Sequence, residues 1–361
     1  MLILLSSGAR RRYRDDIIRT LAHPAGTELR FRYGTDHVEA SVLADLRTGN
    51  LTGQDVLICH LADRKDGKPA ALIPCRFATI SRAKLVGTSI VLTLATGAYA
   101  QQLDDAGLRA LMTPEELAQL PNQGSDAKEP PGKFALPIAA PLTSKAAPEA
   151  AGPAAFEMTA AALHAAEFGS GDPPTSFYAV RDLIDLDGDG AIERPVVVTN
   201  GHYALRSGKR YAIEVYSFAP DSDVTSAAAS TLTADANDID VKFGSEKEAK
   251  LDSRYDLNRF CFSTDQRLLE LPAGLRLALG VPTLVDGKTV IEQRCDITLE
   301  LRFSGSKLMI GSRIFLIAIG TAIPAILGAY AAQKASFCLS AAMFAAALVT
   351  GIGTVFPFKR N

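Results

Sequence analysis

The sharpest chemical pattern in the chain is Asp185-Leu-Asp187-Gly-Asp189-Gly190-Ala-Ile-Glu193. Carboxylates at alternate positions, punctuated by glycine, bring several hard oxygen donors toward one point, which is what a calcium ion takes. An EF-hand needs a bidentate Glu at the twelfth position of its loop. Counted from Asp185 that position is Val196, and the preceding Pro195 disfavours an outgoing helix. The pattern therefore predicts a calcium loop between two strands, with Asp185, Asp187, Asp189 and Glu193 as ligands. The alternative is an acidic hairpin turn that binds nothing.

Covalent and acid–base chemistry find less support. Cys59 and His60 are adjacent on a strand-like run, so their side chains point to opposite faces and make a poor catalytic pair. His23, His37, His164 and His202 show no metal-ligand spacing. The chain contains no GxSxG, HExxH, Walker or Rossmann motif, and Gly169 to Pro174 reads as a loop rather than a phosphate cradle. No catalytic residue is nominated. The five cysteines (Cys59, Cys75, Cys261, Cys295, Cys338) lack a CxxC and read as free thiols of a reducing compartment, with Cys59–Cys75 or Cys261–Cys295 as the alternative cross-strand pairs. One strand, Pro74-Cys75-Arg76-Phe77, is a candidate lining for a groove in a small barrel of the kind that binds nucleotides or oligonucleotides. An ordinary core strand is the competing interpretation.

The strongest organisational signal lies at the C-terminal end. Residues 314–332 carry no charge over 19 positions, and residues 335–358 carry none over 24. About 20 helical residues cross a bilayer core, so the two stretches predict a transmembrane hairpin turning at Gln333-Lys334. Lys307, Arg313, Lys359 and Arg360 flank it, against Lys334 in the turn. By the positive-inside rule this places both ends in the cytoplasm of a bacterial inner membrane, consistent with the lack of a signal-peptide pattern at Met1 to Arg12. Pro324 sits mid-span, and Gly328/Ala332, Ala341/Ala345 and Ala347/Gly351 recur four apart, a spacing that lets helices approach closely in lipid. The bilayer, and a protein partner or second copy packed through these residues, are the expected partners. No ionisable residue lies within either span, which disfavours a proton relay or ion-coupled transporter.

The elements that must position these residues are mostly β, giving an expected α+β or mostly β class. Residues 1–120 predict an α+β, barrel-like domain, with a helix at 14–21, a period-two strand at 28–33, a helix at 38–46 and strands at 55–61, 71–80 and 87–95. Thr113-Pro114-Glu115-Glu116 is a capped helix start. Residues 121–154, rich in Pro, Ala and Gly without periodicity, predict a disordered linker. Residues 155–305 predict a helix and then strands at 176–181, 195–199, 211–218, 238–243, 258–263, 275–279 and 297–303. The run Leu205 to Tyr216 resembles the turn and central strand of immunoglobulin-like sandwiches, which implies an Ig-like β-sandwich; no tryptophan accompanies it. Residues 306–361 hold the membrane hairpin.

Charge divides along the same lines. Residues 1–112 carry 15 Lys and Arg against 11 Asp and Glu, and residues 155–305 carry 15 against 24. The first half is mildly basic and the second acidic; neither has the dense patch of a nucleic-acid binder. Together these features predict a membrane-anchored, cytosol-facing binding or sensor protein without an evident catalytic site. A sharper form is a membrane-perturbing effector of a bacterial defence system. The alternative is a membrane-tethered enzyme acting on nucleotides or RNA through its N-terminal domain.

Overall fold

The computed structural model describes residues 1–7, 11–62, 70–100, 103–121, 132–139, 152–168, 176–187, 193–219, 230–237, 240–251, 254–265, 272–285 and 288–304. The predicted membrane hairpin lies outside the described residues. So do Asp189, Pro324, Gly328, Ala332, Ala341, Ala345, Ala347 and Gly351. Among the described residues no helix is long and apolar enough to cross a membrane.

The fold is mostly β, and its first sheet curls into a half-barrel. In chain order the early elements are β1 (Leu2–Ser7), α1 (Arg11–Ala22), β2 (Glu28–Gly34), α2 (Ala40–Thr48), β3 (Asp55–Ala62), β4 (Ala71–Val86), β5 (Ser89–Tyr99), α3 (Asp105–Ala110), α4 (Pro114–Ala118) and β6 (Ala135–Pro137). The strands order β2-β5-β4-β3-β1-β6. β1 runs parallel to β3, with Leu4 opposite Ile58, and the other pairs are antiparallel. Sequence periodicity explains the faces. β2 alternates Glu28, Arg30, Arg32 outward with Leu29, Phe31, Tyr33 buried, a half-exposed strand. β3 is buried on both faces because it is central.

Residues 132–139 fall inside the stretch read as a disordered linker, yet β6 pairs with Leu2–Leu4 and buries Leu136 and Ile138 in the core with Ile3, Leu5 and Leu57. A three-residue strand is too short to show a period. Its order comes from a partner more than a hundred residues away.

The later elements are α5 (Pro153–Leu163), β7 (Phe177–Asp185), β8 (Arg194–Pro195), β9 (Val198–Thr199), β10 (His202–Arg206), β11 (Arg210–Phe218), β12 (Ser230–Ala236), β13 (Val241–Phe243), β14 (Glu248–Leu251), β15 (Tyr255–Thr264), β16 (Pro272–Val285) and β17 (Lys288–Ser304). They make two sheets, β14-β12-β16-β17-β10-β9 and β13-β15-β11-β7-β8, in a sandwich-like arrangement. Tyr178 on β7 donates its hydroxyl to the Leu277 carbonyl on β16 at 3.3 Å, linking the two sheets through their buried faces.

Met1–Ala204, Lys209–Thr264 and Pro272–Arg302 cluster as one compact unit, which holds α1, β2 and the β4–β5 hairpin; Leu205–Gly208, Asp265, Phe303 and Ser304 fall to a second unit.

Candidate functional site

A cleft of about 340 Å³ opens where α1, β2 and β17 meet within the compact unit. α1 supplies Asp16 and Arg19, because its apolar stripe (Ile17, Ile18, Leu21, Ala22) turns inward and leaves these two beside the opening. Glu28 and Arg30 come from the exposed face of β2. β17 adds Asp296, Thr298 and Glu300.

Arg19 organises the floor. Its Nη1 lies 3.3 Å from Asp16 Oδ1, its Nη2 3.7 Å from Asp296 Oδ1, and its Nε donates to the Asp296 backbone carbonyl at 3.2 Å. Arg276 on β16 holds the other Asp296 oxygen at 2.9 Å. Glu28 accepts from the Ser81 hydroxyl at 2.8 Å. Four carboxylates and two arginines, several already paired, suit a ligand carrying both charges or a cationic group. No set of three His, Cys, Asp or Glu side chains among the described residues is arranged to hold a metal ion.

The three buried thiols, Cys59, Cys75 and Cys295, are poor nucleophiles. Burial pushes Cys59 well above its ordinary value and Cys75 up to about 12. Cys295, beside the cleft, is pushed up to about 12 by burial, against the pull of Arg19, and its Sγ contacts the Asp15 carbonyl at 3.7 Å. A thiol this far above neutrality carries almost no thiolate. Cys59, Cys75, Cys261 and Cys295 are all free, so neither cross-strand disulfide forms. The second pairing fails on topology, since Cys261 on β15 and Cys295 on β17 belong to different sheets.

Of the two readings of Pro74–Phe77, groove lining or core strand, the structure shows the core strand. All four residues are buried, and Arg76 is 1% exposed. Its guanidinium donates to the carbonyls of Gly97 (2.8 Å), Thr20 (2.9 Å) and His23, and lies 4.6 Å from the Tyr99 ring centroid. Thr20 and His23 belong to the C-terminal end of α1, where unpaired carbonyls gather partial negative charge. Arg76 is thus a core staple, balanced by carbonyls and a π face rather than by a carboxylate. His23, packed beside it, has its imidazole pulled down to about 4 by burial first and then by the Arg76 charge.

At the acidic loop, Asp187 grips Arg210: one oxygen accepts the Arg210 backbone N–H at 2.8 Å and the other its Nε at 3.0 Å. Asp185 accepts the Asp187 N–H at 3.0 Å. Glu193 pairs with Arg259 at 2.6 Å, the end of a chain of ion pairs that runs through Glu214 to Arg181 across β15, β11 and β7. The described members of the predicted calcium set are therefore engaged by backbone and guanidinium groups; Asp189 lies outside the described residues.

Sequence reasoning missed the cleft because Asp16 and Asp296 are 280 positions apart. The only trace in the sequence is a basic first half and an acidic second half. Comparison with models of known protein families finds no match, and comparison with curated proteins finds none.

Proposed function

We propose that this chain is a membrane-anchored binding or sensor protein of a bacterial inner membrane. Its half-barrel and its sandwich, which we take as immunoglobulin-like, face the cytosol, and the α1–β2–β17 cleft receives the ligand. The observation that carries the proposal is the pair of charge-free stretches, 314–332 and 335–358, each of bilayer-spanning length. Support for binding over catalysis comes from the cleft, where Arg19, Asp16 and Asp296 are committed to one another and the neighbouring Cys295 is a neutral thiol. The decisive experiment is alkaline carbonate extraction of membranes from cells expressing the full chain. Retention in the pellet is expected; release into the supernatant sinks the anchor.

We further propose that small-residue packing around Gly328, Ala332, Ala341, Ala345, Ala347 and Gly351 lets hairpins associate, so that ligand binding gates a membrane-perturbing assembly, as in a defence effector. Dye leakage from vesicles holding the reconstituted chain measures this, and vesicles that stay sealed under every ligand that stabilises the cleft count against it.

A further inference from the structure

The outward face of the β2–β5–β4 ribbon carries a basic ladder. Register places Arg30 opposite Thr93 and Thr93 opposite Arg82; the next row is Arg32, Val91, Lys84. Residues in register on adjacent strands share a face, with strands about 4.8 Å apart, so four basic side chains occupy a patch about 10 Å wide. All four are exposed, and none has an ion-pair partner among the described residues. The ribbon ends in a two-residue turn at Gly87-Thr88, where Gly87 has φ +59°, the left-handed geometry that tight hairpins require. At that tip Leu85 and Val86 stand 52% and 51% exposed. Arg30 also borders the cleft with Glu28 and Glu300, so the free part of the patch is Arg32, Arg82 and Lys84 beside the apolar tip.

We infer that the β4–β5 tip docks on an anionic lipid surface, Leu85 and Val86 entering the headgroup region while Arg32, Arg82 and Lys84 meet lipid phosphates. Val86 shares the face of Arg82 and Lys84 while Leu85 projects from the opposite face of the same tip, so an edge-on tip presents an apolar end beside a basic face, which matches such a surface in both polarity and charge. A single-stranded nucleic acid fits less well. It needs aromatic platforms, and the aromatics of this ribbon, Phe31, Tyr33, Phe77 and Tyr99, are buried. The inference rests on the membrane-anchor proposal and deepens it: a tether raises the local concentration of an inner leaflet rich in anionic lipid around the chain.

The sequence has no tryptophan, so Leu85→Trp makes the tip the only indole in the full chain. The variant is reconstituted into phosphatidylcholine vesicles with or without phosphatidylglycerol, each with brominated acyl chains. In phosphatidylglycerol vesicles the indole emission is expected to shift to the blue and be quenched by bromine; in phosphatidylcholine alone it stays solvent-like. Each base near an anionic surface contributes about fivefold in affinity, so Arg82→Gln with Lys84→Gln lowers the docking equilibrium constant ~25-fold at a fixed phosphatidylglycerol content, read as loss of the blue shift and quenching. An unshifted, unquenched indole in phosphatidylglycerol vesicles, with the chain floating alongside them and its melting temperature unchanged, overturns the docking. Equal quenching in both lipids overturns the role of the bases. A blue shift produced by a single-stranded oligonucleotide without vesicles assigns the face to nucleic acid instead. Carbonate extraction reads the anchor separately: a chain that is extracted but still shows the lipid-dependent shift loses the anchor and keeps the docking.

Discussion

His23 is the residue whose ionisation most directly tests the core. Its Nδ1 pairs with the Thr27 hydroxyl at 3.2 Å, its carbonyl accepts from Arg76, and the ring is almost fully buried. The folded chain holds its value at about 4, below the ordinary 6.5, through burial and then the Arg76 and Arg19 charges. Between those values the unfolded chain binds a proton that the folded chain refuses, so stability rises with pH there. The contribution is complete above about pH 6.5 and is lost as pH falls toward 4, on the order of 3 kcal/mol. Urea denaturation from pH 7.5 to 4.5 should show this slope, and His23→Gln should flatten it. Asp187 gives a smaller effect. The Arg210 side-chain hydrogen bond holds its carboxyl below the usual range despite slight burial, so its stabilisation is present above the unfolded carboxylate value and fades in acid. Because Arg210 is 69% exposed, Asp187→Ala should cost only ~0.5–1 kcal/mol. If the loop binds calcium, as its spacing proposes, millimolar calcium should raise the melting temperature of the wild type and not of Asp187→Ala. Equal melting temperatures with and without calcium in the wild type reject the site.

At the scale of elements, Arg76 decides how α1 sits on the half-barrel. One guanidinium closes carbonyls from Gly97 on β5 and from Thr20 and His23 at the end of α1, while Tyr99 adds its hydroxyl to the Leu21 carbonyl at 2.8 Å. Removing the donor strands several buried carbonyls at once, each costing about 1–3 kcal/mol. Arg76→Met should therefore destabilise by about 3 kcal/mol or more, despite preserving volume, and Tyr99→Phe by about 1 kcal/mol; chemical denaturation ranks them. A loss below 1 kcal/mol for Arg76→Met would mean that water replaces the guanidinium. The sequence could show the strand bearing Arg76 but not its burial, because an arginine on a strand reads as a surface residue unless its carbonyl partners, one 21 positions downstream and the others 53 to 56 upstream, are known. Elements with local signals were legible. The Thr-capped helix start at Thr113–Glu116 forms as read, and the structure adds the reciprocal Glu116 bond that makes it a capping box, at 3.2 and 2.8 Å; the period-two strand at 28–33 is β2. β6, ordered by a distant partner within the aperiodic stretch, was not, and neither were β10, β12 and β14, whose runs of five, seven and four residues are short and built largely of small or polar side chains.

At the scale of the whole molecule, the opposite charges of the two halves matter where α1 meets β17. Arg19 and Asp296, joined side chain to side chain and side chain to backbone, connect positions 277 apart in the chain. Arg276 shares Asp296, and Asp16 shares Arg19, so the contact is a small network rather than a lone pair. Both side chains are more than a third exposed, which keeps the Coulomb attraction modest through solvent screening. A double-mutant cycle isolates the tie from local effects. Arg19→Ala and Asp296→Ala, singly and together, should give a coupling of about 0.5–1 kcal/mol at low salt, shrinking toward zero at 1 M salt, where the Debye length is about 3 Å. Each single change takes a partner from a second residue, Arg276 for Asp296→Ala and Asp16 for Arg19→Ala, so the coupling and not either single loss measures the tie. Strict additivity would mean that the halves meet through packing alone, with their opposite charges incidental. A salt-sensitive coupling would make Arg19 the residue through which a charged ligand in the cleft acts on both halves, because a ligand that takes the Asp296 carboxylate must displace the Arg19 side chain from it.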